Sequence, residues 1–277
     1  MNITNPLSFS SVKLDLFSKD GVRLKPASGF ILKTGNQHYL ITNWHVVSGA
    51  GIHRDRQQEP IVKPYSLKTS VHIHEGIGEK GASPSMGMRK RVTIQLYDDN
   101  DLPTWIEHPA NEDNHHIVDI VALPIKVNLT MTLLSLKTPR ININRGSLDE
   151  NTNYWIKISA IPISAIDTDV EYGPPDVVHI IGYPLGWEPD GTERTSSAFW
   201  RTGFIASEIY EPGMRREDTF FVDPCAPEGM TGSPVVGMKN DRIKLLGVYS
   251  DRSTAEFGAN AGLVCGAWLV KELVSLS

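Results

Sequence analysis

Three short segments of the sequence carry side chains that could together split an acyl bond. His45 lies in TNWHVV at the end of an apolar run, Asp119 lies in DIVAL within another apolar run, and GMTGSP contains the hydroxyls of Thr231 and Ser233. Hydrolysis of an amide or ester near neutral pH needs an activated hydroxyl or thiol, a base, a carboxylate that orients the base, and donors for the oxyanion. The order histidine, acid, hydroxyl supplies these groups.

Each segment has a structural explanation when it is taken alone. A histidine at a strand end is most often structural. A buried aspartate most often pairs with an arginine or with the backbone, because an unpaired buried charge is costly. The glycines of GMTG are most often part of a plain turn. The three segments together, each beside a strand-like run, favour catalysis over these separate explanations.

Many short strands are predicted to position these segments. Runs rich in Val, Ile, Phe, Tyr and Thr recur between Gly and Pro, a pattern typical of antiparallel barrels or sandwiches. The clearest are GFILKTG, HYLITNWHVV, IVDIVALPI, VVHIIGYPLG, TGFIASEIY and IKLLGVYS. Helical periodicity is weak except in GAWLVKELVSL, which predicts a short C-terminal helix. The sequence therefore predicts an all-β fold.

The composition is that of a globular protein with one large or two modest domains. The chain has 277 residues, with 27 Lys and Arg against 32 Asp and Glu, which gives a net charge of −5. This negative balance disfavours binding to a nucleic-acid backbone. No apolar run reaches the roughly 18 residues of a membrane span, and no secretory leader is visible. We therefore predict no nucleic-acid partner, no membrane partner and a cytoplasmic location.

Cysteine and histidine give no sign of a metal or cofactor site. Cys225 and Cys265 are the only cysteines, too few for a disulfide framework, and a reducing cytoplasm would keep them as free thiols. The histidine pairs in VHIHEG and NHHIVD lack a third ligand at an informative spacing. The sequence therefore predicts no metal and no cofactor.

Several of these motifs resemble one known family. TNWHVV, DIVAL and GMTGSPVV are similar to the histidine, aspartate and nucleophile motifs of trypsin-like (chymotrypsin-fold) serine peptidases. The likeness is greatest to the bacterial branches that include the glutamyl endopeptidases and the HtrA-type proteases. VVHIIGYPLG with TGFIAS, and also LLGVYSD, resemble further strands of that family. The resemblance covers most of the chain from Gly29 to Leu273.

This resemblance implies two six-stranded antiparallel β-barrels with the active site in the cleft between them, followed by the C-terminal helix. Residues 1–135 would form the first barrel, with His45, Asp119 and an insertion near residues 51–90. Residues 136–277 would form the second barrel, with the nucleophile segment 229–234 and an insertion near residues 137–175.

The resemblance also implies a role for each site residue. His45 would be the general base, Asp119 would fix its tautomer, and the N–H groups of Gly229 and Thr231 would form the oxyanion hole. Aligned on Gly229, the nucleophile position falls on Thr231, and Ser233 becomes a turn residue. Threonine departs from the serine of the family, because its β-branch stiffens χ1 and adds a methyl group to a tightly packed site.

Three explanations of Thr231 stay open: a natural threonine nucleophile, a natural pseudoenzyme, and a deliberate substitution that holds an otherwise active protease. The first function hypothesis is a trypsin-like endopeptidase that hydrolyses a protein or peptide substrate through an acyl-enzyme. The second is a non-catalytic pseudoprotease that keeps the cleft to bind a peptide or protein partner.

The same resemblance locates a substrate-binding pocket. Cys225 would lie near its floor, and Ser250, Asp251 and Arg252 would line its wall, where the backbone of Ser250 would bind the substrate strand by β-augmentation. No acidic residue is expected at the floor, which disfavours a preference for Lys or Arg, and Arg252 would attract an acidic side chain or lie solvated on the rim. Met230 occupies the position of the aspartate that pairs with a new N-terminus in digestive enzymes. Control would therefore come from a loop, a regulatory partner or oligomerisation.

Overall fold

The structure, a computed structural model, describes residues 5–50, 62–77, 86–111, 117–125, 154–166, 172–186, 198–209, 218–223, 225–239, 242–252 and 261–275. These residues form an open, curled β-sheet and a closed β-barrel, which pack against each other. The predicted all-β fold is therefore confirmed. The short helix predicted at the C-terminal end is also present.

The first sheet has nine strands among the described residues. They are β1 Ser11–Phe17, β2 Ala27–Thr34, β3 Gln37–Thr42, β4 Ser66–Ile77, β5 Met86–Gln95, β6 Ile106–Glu107, β7 Val121–Pro124, β8 Tyr154–Ile158 and β9 Ile161–Pro162. The main path runs β5-β4-β1-β2-β3-β7-β6, while β8 pairs with β4 and β9 pairs with β2. The sheet curls as a half-barrel, where the sequence led us to expect a closed barrel of six strands.

Parts of both predicted insertions belong to this sheet. Strand β4 and the first half of β5 lie in the region 51–90, and β8 and β9 lie in the region 137–175. The first sheet therefore extends past the predicted domain boundary at residue 135. Residues 51–61, 78–85, 126–153 and 167–171, which make up most of the remainder, lie outside the described residues.

The second unit is a closed barrel of six antiparallel strands. They are β10 Val177–Gly182, β11 Phe199–Ile205, β12 Thr219–Asp223, β13 Pro234–Lys239, β14 Arg242–Arg252 and β15 Gly262–Gly266. They pair in the order β10-β11-β12-β15-β14-β13, and β13 closes the ring onto β10. Because closure removes the free strand edges, the barrel gives a rigid frame to the connection between β12 and β13, where Thr231 lies.

Alternating side chains explain how the strands face their cores. In β1 the side chains of Val12, Leu14 and Leu16 are buried while those of Lys13 and Asp15 are partly exposed, the two-residue period of a β-strand. One apolar core lies within the first sheet. A larger core joins residues of β2 and β3 to the barrel interior and to the C-terminal helix, so the sheet and the barrel share buried surface.

Short helices accompany the strands in the described part of the chain: α1 Leu7–Ser10, α2 Trp44–Ser48 and α3 Ala267–Ser275. Helix α2 follows β3 directly and ends at Gly49, which has the left-handed φ of 73° that is common after a helix end. None of the described helices has the length and apolar character needed to cross a lipid bilayer.

Candidate active site

His45 and Asp119 come together although 74 positions separate them in the chain. The ring Nδ1 of His45 lies 2.9 Å from each carboxylate oxygen of Asp119, and the backbone N–H of His45 donates to Oδ1 at 3.0 Å. Asp119 is 3% exposed, whereas the His45 side chain is 23% exposed. The structure therefore forms the histidine–carboxylate pair that the sequence suggested.

Asp119 is held by two further side chains. The hydroxyl of Ser250, on β14 of the barrel, donates to Oδ2 at 2.6 Å, and Nδ2 of Asn43 donates to the backbone carbonyl of Asp119 at 2.7 Å. The two carboxylate oxygens thus receive donors from the His45 backbone, the His45 ring and Ser250. These hydrogen bonds offset the cost of burying a carboxylate.

The local sequence explains the position of His45. Strand β3 ends at Thr42, and Asn43 keeps an extended backbone with φ −80° and ψ 150° before α2 begins at Trp44. His45 is therefore the second residue of a short helix, and the Asn43 side chain joins this corner to the segment before β7 that carries Asp119. The sequence placed His45 at the end of a strand, whereas in the structure the strand ends at Thr42 and His45 lies in the helix that follows.

The environment of His45 suits a base that takes up a proton. Burial acts to lower the pKa of His45, but the Asp119 carboxylate raises it through its charge and its hydrogen bond, and the charge of Asp251 raises it further. The net result is a pKa above the ordinary 6.5. With Nδ1–H directed at Asp119, the neutral ring has Nε2 as its proton acceptor.

Residues 227–233 form two consecutive tight turns. The N–H of Met230 donates to the carbonyl of Pro227 at 3.2 Å, and the N–H of Ser233 donates to the carbonyl of Met230 at 3.0 Å. Gly229 and Gly232 occupy the third positions of these turns, with φ of 91° and 88°. A type II turn needs positive φ at that position, so the turns account for both glycines of GMTG.

The N–H groups of this segment fall into two sets. Those of Met230, Gly232 and Ser233 donate to backbone carbonyls. The N–H groups of Gly229 and Thr231 donate to no backbone carbonyl of the described residues. These two are the groups that the sequence assigned to an oxyanion hole. Two donors in one short segment could stabilise a developing negative charge on a bound carbonyl oxygen.

The two hydroxyls of GMTGSP have different surroundings. Ser233 is 0% exposed, and its hydroxyl has no hydrogen-bond partner among the described residues. Thr231 is half-buried and lines an open pocket. Of the two side chains, that of Thr231 is therefore accessible to a ligand in the pocket, whereas Ser233 is enclosed beneath the turn.

The pocket beside Thr231 has a volume of about 300 Å³. Its lining residues come from both units of the fold: Lys25, Ala226, Pro227, Glu228, Thr231, Tyr249 and Asp251. Tyr249 is 1% exposed, and its phenolic oxygen accepts the N–H of Ala226 at 2.9 Å, so its ring is fixed against the pocket floor. The Nζ of Lys25 pairs with Oε1 of Glu228 at 2.9 Å.

Sequence reasoning missed Lys25 as a pocket residue. The ranges that the family resemblance led us to expect at the pocket, about 224–229 and 248–252, contain its other lining residues apart from Thr231. Lys25 carries no local signal, since its place at the pocket depends on how the segment before β2 packs against the barrel.

The four residues predicted to bind substrate take up different positions. Asp251 lines the pocket, whereas Cys225 is a half-buried neighbour of Ala226 and is not among the lining residues described. Ser250 lies where the register between β14 and β15 shifts, and its side chain is directed at Asp119. Arg252 is the last residue of β14, and the structure describes its backbone alone.

The two cysteines are free thiols in the structure. Cys265 lies on β15 and is 3% exposed, and burial, aided by the charges of Asp119 and Asp218, raises its pKa well above the ordinary value. A thiol held in its neutral form is a poor nucleophile. This agrees with the assignment of the nucleophile position to a hydroxyl.

The histidines of VHIHEG are engaged by protein groups. Nε2 of His72 accepts the Nε–H of Arg89 at 2.8 Å, and Nε2 of His74 lies 3.0 Å from the Ser159 hydroxyl. Burial and the Arg89 charge lower the pKa of His72 to about 4, which keeps its ring neutral. Within the described part of the chain, no group of three or more potential metal ligands occurs.

Comparison with known proteins gave matches among solved structures alone. No family model and no curated protein matches the chain. The HtrA-type protease AlgW, solved with a tripeptide, matches with a TM-score of 0.50 and 13% identity over 98% of this chain and 60% of that chain. The Rv3671c protease from M. tuberculosis, in its active form, has a TM-score of 0.45 and 14% identity over 97% of this chain and 81% of that chain.

The likeness to AlgW shows the fold. The fold of the chain is similar to that of this HtrA-type protease, and in this chain a curled half-barrel sheet packs against a closed six-stranded barrel, so the predicted chymotrypsin-like fold class is confirmed. The chain spans about three fifths of the length of AlgW. The relation to the glutamyl endopeptidase branch stays a prediction.

Proposed function

We propose that the protein is a trypsin-like endopeptidase of the serine-peptidase type with threonine at the nucleophile position. Its substrate is a protein or peptide, bound in extended form in the cleft beside Thr231. His45, Asp119 and Thr231 act as the catalytic triad, and the N–H groups of Gly229 and Thr231 act as the oxyanion hole. The reaction needs no cofactor and no metal ion.

One observation carries this proposal. A histidine oriented by a buried, hydrogen-bonded carboxylate is linked through Asp251 to the pocket of an accessible hydroxyl, because Asp251 lines that pocket with Thr231 and its charge acts on His45. The same turn carries two N–H groups that donate to no backbone carbonyl of the described residues. A histidine–aspartate pair with a purely structural role would not need an accessible hydroxyl and two N–H donors nearby. A plain turn would not need the histidine and its carboxylate.

The chemistry follows from the roles of these groups. Nε2 of His45 removes the hydroxyl proton of Thr231 while its oxygen forms a bond to the substrate carbonyl carbon. The carbonyl oxygen becomes an oxyanion that the N–H groups of Gly229 and Thr231 stabilise, and Asp119 stabilises the imidazolium. The imidazolium then protonates the leaving amine as the peptide bond breaks. Water, deprotonated by His45, attacks the acyl-enzyme and releases the acid product together with the Thr231 hydroxyl.

A second function, a non-catalytic module that binds a peptide or protein, is favoured by one feature of the same site. The methyl group of Thr231 restricts χ1 and must fit beside the turn. If that fit costs roughly 1–3 kcal/mol in the transition state, turnover slows by about 5- to 150-fold. A cleft that grips a chain without cutting it would keep the pocket and tolerate this cost.

The finer features of the proposal concern specificity, control and location. We assign the backbone of Ser250 and the side chains of Asp251 and Arg252 to contacts with the bound strand, and Cys225 to the region behind the pocket floor. A regulatory partner, rather than pairing with a new N-terminus, would control the site, because Met230 carries no charge. Two free thiols fit a reducing compartment such as a bacterial cytoplasm.

Replacement of the nucleophile tests the proposal. The variants Thr231→Ser and Thr231→Ala are incubated with a mixed peptide library and cleavage is followed by mass spectrometry. We expect Thr231→Ser to cleave peptides and Thr231→Ala to be inert. The matched control is Ser233→Ala in the Thr231→Ser background, which should keep activity because Ser233 is enclosed.

The outcomes separate the two functions. If Thr231→Ser is as inert as Thr231→Ala while both bind peptides from the library, the binding function replaces the catalytic one. If the Ser233→Ala variant loses the activity of its parent, the assignment of Thr231 as nucleophile is wrong.

A further inference from the structure

Ser28, near the start of β2, joins the first sheet to the nucleophile segment. The residue is 0% exposed. Its hydroxyl donates to the carbonyl of Gly229 at 2.8 Å and accepts the N–H of Tyr183 at 2.9 Å, and its own N–H donates to the carbonyl of Thr231 at 2.8 Å. Ser28 therefore binds the carbonyls of the two residues whose N–H groups form the proposed oxyanion hole.

The peptide that precedes Gly229 has an anchor of its own. The N–H of Leu185, two residues after Tyr183, donates to the carbonyl of Glu228 at 2.6 Å. In a trans peptide the C=O and N–H bonds point in opposite directions, so the N–H of Gly229 points away from Leu185. The carbonyls on both sides of the Gly229 α-carbon are therefore held by groups outside the turn.

These anchors matter because glycine is the residue that they hold. A glycine populates positive and negative φ about equally, so the turn by itself resists rotation of the peptides around Gly229 weakly. The orientation of the Gly229 N–H then depends on the hydrogen bonds made by its neighbouring carbonyls. Among the described residues, the Ser28 hydroxyl is the side-chain group that binds the Gly229 carbonyl.

The surroundings of Ser28 leave room for this hydroxyl and fix its position. A Cβ atom added to Gly182 would lie 2.8 Å from the Ser28 hydroxyl oxygen, and one added to Gly232 would overlap the Ser28 carbonyl. The Thr42 hydroxyl, on the strand that leads to His45, donates to that carbonyl at 2.9 Å. Ser28 is thus connected both to the corner that carries the base and to the turn that carries the nucleophile.

We propose that Ser28 is a positioning residue for the oxyanion hole. Its hydroxyl holds the carbonyl of Gly229 while the Leu185 N–H holds that of Glu228, and the two contacts together keep the Gly229 N–H directed at the substrate site before substrate arrives. Ser28 acts through Gly229 and does not touch the substrate. The inference rests on the proposed function, because the oxyanion hole belongs to that function.

The test compares two buried serines that both connect the first sheet to the barrel. Ser28→Ala removes the bond to Gly229 and also the acceptor of the Tyr183 N–H. The matched control is Ser11→Ala, because Ser11 is also 0% exposed and its hydroxyl donates to the carbonyl of Ile181 at 2.7 Å, on β10 rather than in the nucleophile segment. Both are made in the Thr231→Ser background, and kcat and KM are measured with a cleaved peptide.

We expect Ser28→Ala to lower kcat by about 10- to 100-fold, since loss of one oxyanion donor outright costs about 10²- to 10³-fold. KM should change by less than about threefold, because the interaction is made in the transition state. Ser11→Ala should keep the kcat of its parent. An unchanged kcat in Ser28→Ala, or an equal loss in Ser11→Ala, would overturn the proposal.

A second measurement does not depend on activity. The amide ¹H and ¹⁵N chemical shifts of Gly229 and Thr231 are recorded for the unaltered Thr231 protein and for its Ser28→Ala and Ser11→Ala variants. We expect Ser28→Ala to move the Gly229 resonance and Ser11→Ala to leave it in place. Equal shifts in the two variants would overturn the positioning role.

The two measurements keep the inference distinct from the proposed function. If Thr231→Ser fails to cleave any peptide, the proposed function fails, while the amide shifts still decide whether Ser28 orients Gly229. If Ser28→Ala does not fold, Ser28→Cys, which keeps a weak S–H donor, takes its place. Its Gly229 resonance should then lie away from the parent position, and an unmoved resonance would count against the proposal.

Discussion

The two sides of the proposed active site, the base side with His45 and Asp119 and the nucleophile side with Thr231, are held by different kinds of contact. On the base side, side chains hold Asp119: the ring of His45 and the hydroxyl of Ser250 bind its oxygens. On the nucleophile side, backbone hydrogen bonds predominate: two tight turns with glycine at their third positions and the N–H of Ser28 hold Thr231, and the Ser28 hydroxyl adds a side-chain contact to Gly229. The first sheet and the barrel contribute to both sides.

This difference predicts how each side responds to substitution. A change in side-chain chemistry at Asp119 alters protonation and hydrogen bonding while the backbone can stay in place. A change at a turn glycine alters the backbone itself and so affects folding together with activity. Catalytic loss with an intact fold is therefore expected from the base side, and combined loss of both from the nucleophile side.

The largest effect is expected from Asp119→Asn, measured as kcat in the Thr231→Ser background. In the unaltered protein the His45 ring, the His45 backbone N–H and the Ser250 hydroxyl all donate to the Asp119 carboxylate. An asparagine amide would place an NH₂ group, itself a donor, among them, which disfavours the His45 tautomer that carries its proton on Nδ1. The corresponding aspartate-to-asparagine change in a Ser-His-Asp triad lowers kcat by about 10⁴-fold, and we expect a similar loss here. Thermal unfolding should show a folded protein.

Asp15→Asn is the matched control for this change. Asp15 lies on β1 and pairs with Arg23 at 2.6 Å near the surface. Its replacement should leave kcat within about twofold, as expected for an exposed ion pair. If Asp119→Asn keeps most of its parent's activity, the carboxylate is structural and the triad assignment fails.

The second effect concerns the nucleophile turn. Gly232→Ala adds a methyl group that would overlap the Ser28 carbonyl and the Thr42 hydroxyl, at a residue with φ of 88°. Strain of this kind together with overpacking should lower the free energy of unfolding by about 4 kcal/mol or more, measured by urea denaturation. Activity should fall with the folded fraction.

Gly35→Ala separates the two causes. Gly35 has φ of 54° but nothing lies within 4 Å of an added Cβ, so this variant has the backbone strain without the overlap. Its cost should be about 1–2 kcal/mol. Equal destabilisation by the two variants would show that Gly232 is required for its φ alone, not for the close approach of the first sheet.

The sequence predicted the parts of the site that are marked locally. His45 and Asp119 were found because polar residues in apolar, strand-like runs are unusual, and GMTGSP because its glycines mark a turn that carries hydroxyls. The choice of Thr231 over Ser233 came from the resemblance to trypsin-like peptidases. The all-β class followed from strand-like runs with turn residues between them, and the barrel followed from the same resemblance. These signals lie within a few residues of the group that they identify.

The remaining contacts depend on residues that are far apart in the chain. The Ser250 hydroxyl meets Asp119 across 131 positions, and the Ser28 hydroxyl meets the Gly229 carbonyl across 201 positions. A serine in a strand carries no sign of such a partner. The shift in register that accompanies Ser250 arises from pairing between β14 and β15, which the sequence of β14 alone does not encode.

The smallest effect is expected from Asp251→Asn, and it tests whether the barrel tunes the base. The Asp251 charge helps to raise the pKa of His45, which Asp119 raises more strongly against the effect of burial. His45 must be neutral to accept a proton, so activity falls as the pH drops through its pKa. Removing the Asp251 charge lowers that pKa and should move the acidic limb of the kcat/KM profile to lower pH.

The control is Asp223→Asn, a change at an exposed residue of β12, which should leave the acidic limb in place. A limb that stays fixed or moves to higher pH in Asp251→Asn would show that the Asp251 charge does not tune the base.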